Sequence, residues 1–151
     1  MQRNPWVEVN LRGAFAVTYI EVDNRPDGNC LDRLGNFRVY ADGRLLGQFN
    51  HTQMQGRPPK IVIPVRRVIH SVRVQLEGHN YLHLGAVRAF GPHNYSELGA
   101  QMVDVAHAKQ VSMSSQYENF VAERLVDGNP GSFMHTNNEV GKKEKKQEKK
   151  T

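Results

Sequence analysis

An all-β fold is predicted by the sequence, because strand-like segments and turn-forming clusters alternate along most of its 151 residues. The strand-like segments either alternate apolar and polar residues or concentrate β-branched and aromatic ones, and they recur about every 8 to 12 residues. Clusters of Gly, Pro and Asn separate them, as in RPDGN, QGRPP and EGHN. This spacing is typical of a β-sandwich or barrel, and the length fits one domain.

The first two strands are predicted at WVEVNL and AVTYIEVD. In WVEVNL, Val7, Val9 and Leu11 fall on one face, because successive side chains of a strand point to opposite faces. AVTYIEVD is apolar on both faces and rich in β-branched residues, which is typical of a central strand. Both segments are therefore expected to contribute to the core.

A hairpin is predicted next. FRVYADG, over 37–43, alternates and then turns at Asp42-Gly43, a dipeptide typical of tight β-hairpins. Further strands are predicted at LLGQF, KIVIPV, HSVRVQL and YLHLGAVRAFG. In YLHL the two leucines are expected in the core, which places Tyr81 and His83 together on the other face of the strand.

Beyond Gly91 the strand pattern fades. GPHNYSELGAQM is typical of a loop, and residues 106–139 are irregular and polar, with one short helical turn predicted around FVAERLVDG. Gly128 follows that turn and can end it. A segment of about 35 residues is too short to form a stable domain alone, so we expect it to pack on the preceding strands.

The formal charge of +5 is concentrated in one segment. Residues 142–151 hold six lysines and two glutamates and so supply +4, which leaves +1 for the rest of the chain. We expect this tail to be disordered and solvated, with weak attraction to anionic membranes or nucleic acid as the alternative. Because the remainder is nearly neutral, we expect no specific nucleic-acid partner.

Several protein classes are disfavoured by the sequence. No apolar run reaches the roughly 20 residues that a membrane helix needs, and no basic-then-apolar signal peptide precedes the first strand. Cys30 is the only cysteine, which excludes an internal disulfide. HExxH, GxSxG and P-loop patterns are absent, and the histidines and acidic residues lack metal-ligand spacing. We therefore expect a binding module and not an enzyme.

Longer motifs give the chain a family resemblance. NPWVEVNL, YIEVDNRPDGNCLDRLGNFRVYADG and VRVQLEGHNYLHLGAVRAFG resemble the second half of a discoidin-type domain, also called a coagulation factor type C domain. AKQVSMSSQYENFVAERLVDGNPGSFMHTNNE resembles the first half of the same domain. The fucolectins, or F-type lectins, belong to the same galactose-binding-like superfamily. The resemblance implies a β-sandwich of the jelly-roll type.

The two halves stand in reversed order, which implies a circularly permuted domain. Residues 1–91 would form the second half, 92–105 a linker, 106–139 the first half that completes the same sandwich, and 140–151 a disordered Lys-rich tail. The alternative is a cut through tandem repeats. Halves of two chains could also pair with each other, which would give a half-swapped oligomer.

The resemblance also implies a sugar site in RPDGNCLDR. Fucolectins carry Arg-x-Asp-x4-Arg/Lys and a histidine upstream of it. By resemblance Arg25, Asp27, Arg33 and His135 take these places, with Arg33 one residue late. Two guanidinium groups and an imidazole can hydrogen-bond to sugar oxygens, while the aspartate braces an arginine. In the alternative interpretation, Arg25 and Asp27 only brace a surface turn, and His135 is an exposed loop residue.

One departure weakens the likeness to the fucolectins. Their loop usually places two adjacent cysteines, whose disulfide packs on the apolar edge of the sugar. Gly28-Asn29-Cys30 occupy that part of the loop here, so the apolar platform is missing.

Calcium is the cofactor that the resemblance implies. Asp127, Asn129 and Ser132 match the part of the family's calcium site near its DGN turn, whereas Ala86 replaces the glutamate of that site. Because calcium takes about six to eight oxygen ligands, this replacement removes both a charge and a ligand. The alternative is that Asp127 only caps a turn.

The expected function is non-catalytic carbohydrate binding of the fucolectin type, through loops at one end of the sandwich. The expected partners are glycans or glycoproteins, in a role such as cell adhesion, and the resemblance alone implies an extracellular or cell-surface location. Two alternatives stay open: a discoidin-type module for protein or phospholipid surfaces, and a fragment of a tandem-repeat protein without independent activity. The polar loops RPDGN and NHTQMQGRPP argue against insertion into a membrane.

Overall fold

The structure is a computed structural model that describes residues 2–92 and 102–137. Within these ranges it has no α-helix and consists of antiparallel strands, which confirms the predicted all-β fold. The strands are β1 (Gln2–Arg3), β2 (Trp6–Asp23), β3 (Asn36–Ala41), β4 (Arg44–Asn50), β5 (Lys60–Leu76), β6 (His79–Asn80), β7 (His83–Leu84), β8 (Ala86–Pro92), β9 (Met102–Asp104), β10 (Gln110–Met113) and β11 (Met134–His135). Three 3-10 helices accompany them: η1 (Leu31–Arg33), η2 (His51–Gln53) and η3 (Ala122–Val126). None of the described helices is long and apolar enough to cross a membrane.

Two long strands, β2 and β5, organise the fold. At its Trp6 end β2 lies between β5 and β10, and β3 and β4 continue the sheet beyond β5. At its Asp23 end β2 lies between β5 and β8, and β9 follows beyond β8. The segments WVEVNL and AVTYIEVD are therefore one strand, as are KIVIPV and HSVRVQL.

A bulge in β2 separates its two parts. The register of β2 against β5 shifts between Asn10 and Phe15, and Arg12 and Gly13 have positive φ angles of 57° and 151°. On β5, Arg66 has a φ of 53°. Because a bulge bends a strand, the two parts of the sheet turn their inner faces toward one core. The polar sequence of the bulge explains why two strands were predicted.

The core is one cluster that both parts of the sheet share. Val7, Val9 and Leu11 are buried, as the alternation of WVEVNL predicted. They belong to the same cluster as apolar side chains of the other strands: Ile20, Val22, Phe37, Val39, Ile69, Val72, Val74, Leu76, Leu82, Leu84 and Val87.

The predicted hairpin joins β3 and β4 at Asp42 and Gly43. Both residues have positive φ, 51° and 76°, as tight hairpin turns require. The Asp42 carboxylate also accepts hydrogen bonds from the backbone N–H groups of His70 and Ser71 on β5. The turn is thereby tied to the neighbouring strand.

Residues 102–137 complete the fold. β9 pairs with β8, β10 with the Trp6 end of β2, and β11 with β7. η3 is the helical turn predicted around FVAERLVDG, and Gly128 follows it with a φ of 73°. This segment adds Ala106, Val111, Ala122, Leu125, Val126 and Met134 to the core. Its strands, two to four residues long, carried too little pattern to be predicted.

The expected linker over 92–105 is only partly described. Pro92 pairs with Met102, so the described residues at its two sides belong to neighbouring strands. Residues 93–101 and the expected tail over 140–151 lie outside the described ranges.

Ser115 brings residues 2 and 137 together. Its hydroxyl donates a hydrogen bond to Gln2 Oε1 at 2.7 Å and accepts one from the Asn137 backbone N–H at 2.8 Å. The neighbouring Ser114 hydroxyl bonds to Gln2 and to the backbone of Trp6. Gln2 and Asn137 are therefore close in space although they are far apart in sequence.

Candidate functional site

The loop that follows β2 is fixed by Asn24, which is buried. The Asn24 side-chain amide donates to the Leu31 carbonyl at 3.0 Å, and its side-chain oxygen accepts from the Arg25 backbone N–H. Its own backbone N–H donates to the Pro59 carbonyl. These bonds close the loop between β2 and η1, and so they set where Arg25 and Arg33 leave the backbone.

Arg25 and Asp27 form a two-point ion pair. Arg25 Nε and Nη2 donate to the two carboxylate oxygens of Asp27 at 3.1 and 2.6 Å. Asp27 also accepts from the Asn29 backbone N–H, and the pKa of its carboxyl is lowered, chiefly by the hydrogen bonds from Arg25. The Arg25 side chain is only 12% exposed, and its guanidinium carbon lies 4.4 Å from the centre of the Phe133 ring. The bracing expected of this pair is thus present.

His135 is buried, with 7% of its surface exposed, and is not an exposed loop residue. It lies on β11, and its ring is surrounded by those of Tyr81, Tyr117 and Phe120 at centroid distances of 5.3, 5.0 and 6.0 Å. Its Nδ1 is bonded to the Thr136 carbonyl oxygen. Because a carbonyl can only accept, Nδ1 carries the proton, and Nε2 of the neutral ring keeps its lone pair.

Arg33 approaches the same cluster from the end of η1. Its guanidinium carbon lies 5.5 Å from the centre of the Tyr81 ring, which in turn contacts His135. On the other side, the Phe133 ring stacks on the Phe120 ring with the centroids 4.8 Å apart, and the Arg25 guanidinium group lies over the Phe133 ring. Arg25, Arg33 and His135 therefore converge on one group of aromatic rings.

The two arginines act on His135 through their charge. The pKa of His135 is lowered, first by burial and then by the positive charges of Arg25 and Arg33, against the hydrogen bond to Thr136, which raises it. With its proton on Nδ1, the neutral imidazole can accept one further hydrogen bond at Nε2. The arrangement suits a ligand that is rich in hydroxyl groups.

His83 is a member of the site that was not predicted. It faces His135 across the β7–β11 pair, with the ring centroids 5.4 Å apart, and only 1% of its surface is exposed. Neither ring nitrogen has a hydrogen-bond partner among the described residues. Burial, followed by the charges of Arg25, His135 and Arg33, lowers the pKa of His83 to about 3. The alternation in YLHL placed His83 beside Tyr81, but no sequence pattern indicated that β11 would cover it.

A cavity of about 330 Å³ lies beside the predicted calcium ligands. Asp127, Asn129 and Ala86 line it, together with Asp23 and Arg88, which form an ion pair at 2.6 Å. The Asp127 carboxylate accepts hydrogen bonds from the Ser132 hydroxyl at 2.7 Å and the Asn129 backbone N–H at 2.8 Å.

These residues fit a calcium ion poorly. Asp127 is the single carboxylate among the predicted ligands, its oxygens are already engaged, and Ala86 supplies no side-chain oxygen. In the described ranges no group of three or more acidic, His or Cys side chains could hold a metal ion. Calcium binding stays a prediction.

A second, wider cavity of about 560 Å³ lies along the Arg25–Asp27 pair. Four prolines line it: Pro26, Pro58, Pro59 and Pro130. Leu31 and Arg57 complete its walls. We call this cavity the proline groove.

Comparison with known proteins supports the fold. No family model and no curated protein matches the chain. Among solved structures, the lectin domain of lectinolysin, complexed with Lewis B antigen, is similar with a TM-score of 0.50 and 24% sequence identity. The alignment covers 59% of this chain and 66% of that one, slightly less than two thirds of the lectin domain. At this identity the likeness shows the fold alone, a β-sandwich built of antiparallel strands.

Proposed function

We propose that this protein is a non-catalytic carbohydrate-binding module that holds glycans at Arg25, Arg33 and His135. One observation carries the proposal: these three residues, from sequence segments about a hundred positions apart, converge on one cluster of aromatic rings. A lectin domain of the same fold, solved with the Lewis B antigen bound, supports it. The fucolectin-like motif around Arg25 and Asp27 adds to that support.

Each group has a role in binding a sugar. The guanidinium of Arg33 and the remaining N–H groups of Arg25 donate to hydroxyl and ring oxygens, while Nε2 of His135 accepts from a hydroxyl. Asp27 holds Arg25 in place, so that less rotational freedom is lost when the sugar binds. Because sugar hydroxyls give up bonds to water, the net gain per hydrogen bond is about 1 kcal/mol.

Fucose specificity is the finer part of the proposal. Cys30 is exposed and the loop has no vicinal disulfide, so the apolar edge of a bound sugar must meet another surface. The aromatic cluster of Tyr81, Tyr117, Phe120 and Phe133 is adjacent to His135 and can serve this purpose.

The proposal is tested by measuring binding of fucose and fucosylated oligosaccharides by calorimetry. We expect Arg33→Gln to lower the affinity about tenfold, because it removes a charge-assisted hydrogen bond. Arg67→Gln is the matched control, since Arg67 is exposed on β5 opposite Val17 and outside this site. Equal binding by wild type and Arg33→Gln, or no binding of any glycan, would refute the proposal.

Salt dependence separates this function from attachment to anionic lipid surfaces. Binding of a neutral sugar should change little when the ionic strength is raised. Attraction of a Lys-rich tail to phospholipid vesicles should fall steeply under the same conditions.

A further inference from the structure

The candidate site carries more positive charge than its acidic residues balance. Asp27 is paired with Arg25 by two hydrogen bonds. Arg33 lies on the Tyr81 ring and makes no ion pair with any carboxylate of the residues described here. The pKa values of His83 and His135 are lowered, first by burial and then also by the positive charges of Arg25 and Arg33.

The site also contains a buried histidine, His83, whose hydrogen-bonding groups are unsatisfied among the described residues. His83 is almost fully buried beside His135, and neither of its ring nitrogens has a hydrogen-bond partner within residues 2–92 and 102–137. A buried polar group without a hydrogen bond is unfavourable. The two imidazole rings are tilted by 41° with their centroids 5.4 Å apart, and the guanidinium groups of Arg25 and Arg33 lie over neighbouring aromatic rings. An anionic group of a ligand can compensate the positive charge of these two arginines.

We propose that the glycan bound here is acidic, and that its carboxylate or sulfate group lies between Arg33 and His135. This inference rests on the proposed carbohydrate-binding function and names the class of sugar. A carboxylate accepts paired hydrogen bonds from a guanidinium group, which is the contact that Arg33 is free to make. The missing apolar platform at Gly28-Asn29-Cys30 agrees with a ligand that is recognised by charge.

An anion in this position couples binding to protonation of His135. The charged and titratable groups that face His135 are Arg25, Arg33 and His83, with Tyr81 and Tyr117 as neighbouring phenols. In the free protein these groups keep His135 neutral at pH 7. A bound anion favours the imidazolium, so that the affinity for an acidic sugar rises as the pH falls, whereas that for a neutral sugar does not.

The test compares galactose 6-sulfate and glucuronic acid with galactose and fucose by calorimetry on the full chain. We expect the acidic sugars to bind about tenfold tighter than their neutral counterparts, and Arg33→Gln to remove this preference. The control variant Arg67→Gln should keep the preference for acidic sugars. Between about pH 7.5 and about pH 5.5 the affinity for galactose 6-sulfate should rise several-fold, and this rise should be lost in His135→Gln.

Two results would overturn the inference. Equal or tighter binding of the neutral sugars overturns it while the carbohydrate-binding function stands, whereas binding of no sugar removes both. Sodium sulfate is the control for the source of the anion: if it displaces galactose 6-sulfate at equal concentration, the site recognises the anion and not a sugar. Arg33 is half-buried and makes no ion pair with a carboxylate of the described residues, so we expect Arg33→Gln to fold.

Discussion

At the residue scale, Asp27 determines how Arg25 is presented. Its carboxylate accepts two hydrogen bonds from the guanidinium group and one from the Asn29 backbone. Because the pKa of Asp27 is lowered from its usual value of 3.8, the brace persists throughout the neutral range and is lost only in strong acid. Arg25 therefore meets a ligand in one fixed orientation.

We expect Asp27→Asn to lower glycan affinity about fivefold to tenfold, since an amide cannot hold the guanidinium by two charge-assisted bonds. Asp42→Asn is the matched control. It removes a carboxylate that also accepts backbone hydrogen bonds, but at the β3–β4 hairpin. Titration calorimetry of both variants would contradict the bracing role if they lost affinity equally.

His83 makes the stability of the fold depend on pH. Its pKa is about 3 in the folded chain, whereas the usual value is 6.5, so the unfolded chain binds a proton that the folded chain does not. Stability is therefore complete above pH 6.5 and decreases by about 1.4 kcal/mol per pH unit below it. The free energy of unfolding of the wild type should fall between about pH 7 and about pH 5, and His83→Phe should make this fall about 2 kcal/mol smaller in urea unfolding. Parallel pH profiles for the two proteins would contradict this.

The site residues differ in how far the sequence could predict them. The motif around Arg25 and Asp27 is local, so its hydrogen bonds could be anticipated from two neighbouring side chains. His83 and His135 meet because two-residue strands pair across about fifty positions, and no sequence pattern marks strands that short. The burial of both histidines could therefore be recognised only in the structure.

At the scale of elements, Gly85, which connects β7 to β8, supports the site loop. A Cβ atom at Gly85 would lie 2.6 Å from the Asn24 carbonyl oxygen and 3.3 Å from Pro26 Cδ. Asn24 and Pro26 flank Arg25. The close approach of Gly85 thus helps to set the path of the loop that carries the arginine.

Gly85→Ala should destabilise the fold by about 1–3 kcal/mol, because the added methyl group displaces backbone atoms in a packed region. Glycan affinity should fall as well. Gly35→Ala is the control, since its new Cβ would meet nothing closer than the Asp32 carbonyl oxygen at 4.0 Å. Chemical denaturation of both variants measures the difference, and an equal effect would argue against the coupling of Gly85 to the loop.

The loop over 127–132 contains the residues of the predicted calcium site, Asp127, Asn129 and Ser132. If Asp127 binds calcium with a dissociation constant of about 1 mM, a tenfold excess of the ion over that constant should stabilise the fold by about 1.4 kcal/mol. Thermal unfolding with calcium or with chelator measures this, and Asp127→Asn should abolish the difference. Identical curves would indicate that Asp127 serves only the turn, through its bonds to Asn129 and Ser132.

Element types were predicted better than element extents. The Asp42-Gly43 hairpin and the turn at η3 follow from local residue preferences, and both are present. The continuity of β2 was missed, because Arg12 and Gly13 interrupt the alternation while the strand itself continues through a bulge. The short strands β9, β10 and β11 are fixed by pairing with distant partners and not by their own sequence.

At the scale of the whole molecule, residues 102–137 and residues 2–92 share one core. We propose that the order of the two segments reflects circular permutation. The support is that Ser115 contacts both Gln2 and Asn137, so a short connection could join these positions in a chain of the opposite order. Exchange of segments between two chains stays a prediction, to be examined by size-exclusion chromatography at several concentrations.

We expect urea to unfold the full chain in one cooperative transition, and a chain stopped at Gly91 to be unfolded in buffer. The truncation removes β11, which is the partner of β7, and one neighbour each of β8 and β2. It also removes core side chains such as Leu125 and Met134. Circular dichroism would contradict the shared core if the shortened chain kept a cooperative transition at the same midpoint.

Arg25 is a wall of the proline groove as well as a part of the candidate site. Pro26, Pro58, Pro59 and Pro130 give that groove rigid apolar faces that lose little freedom when a ligand covers them. For the proposed carbohydrate-binding function we therefore expect a glycan of several units to extend from the aromatic cluster along Arg25 into the groove. The length of the glycan, and not only its terminal unit, would then set how long it stays bound.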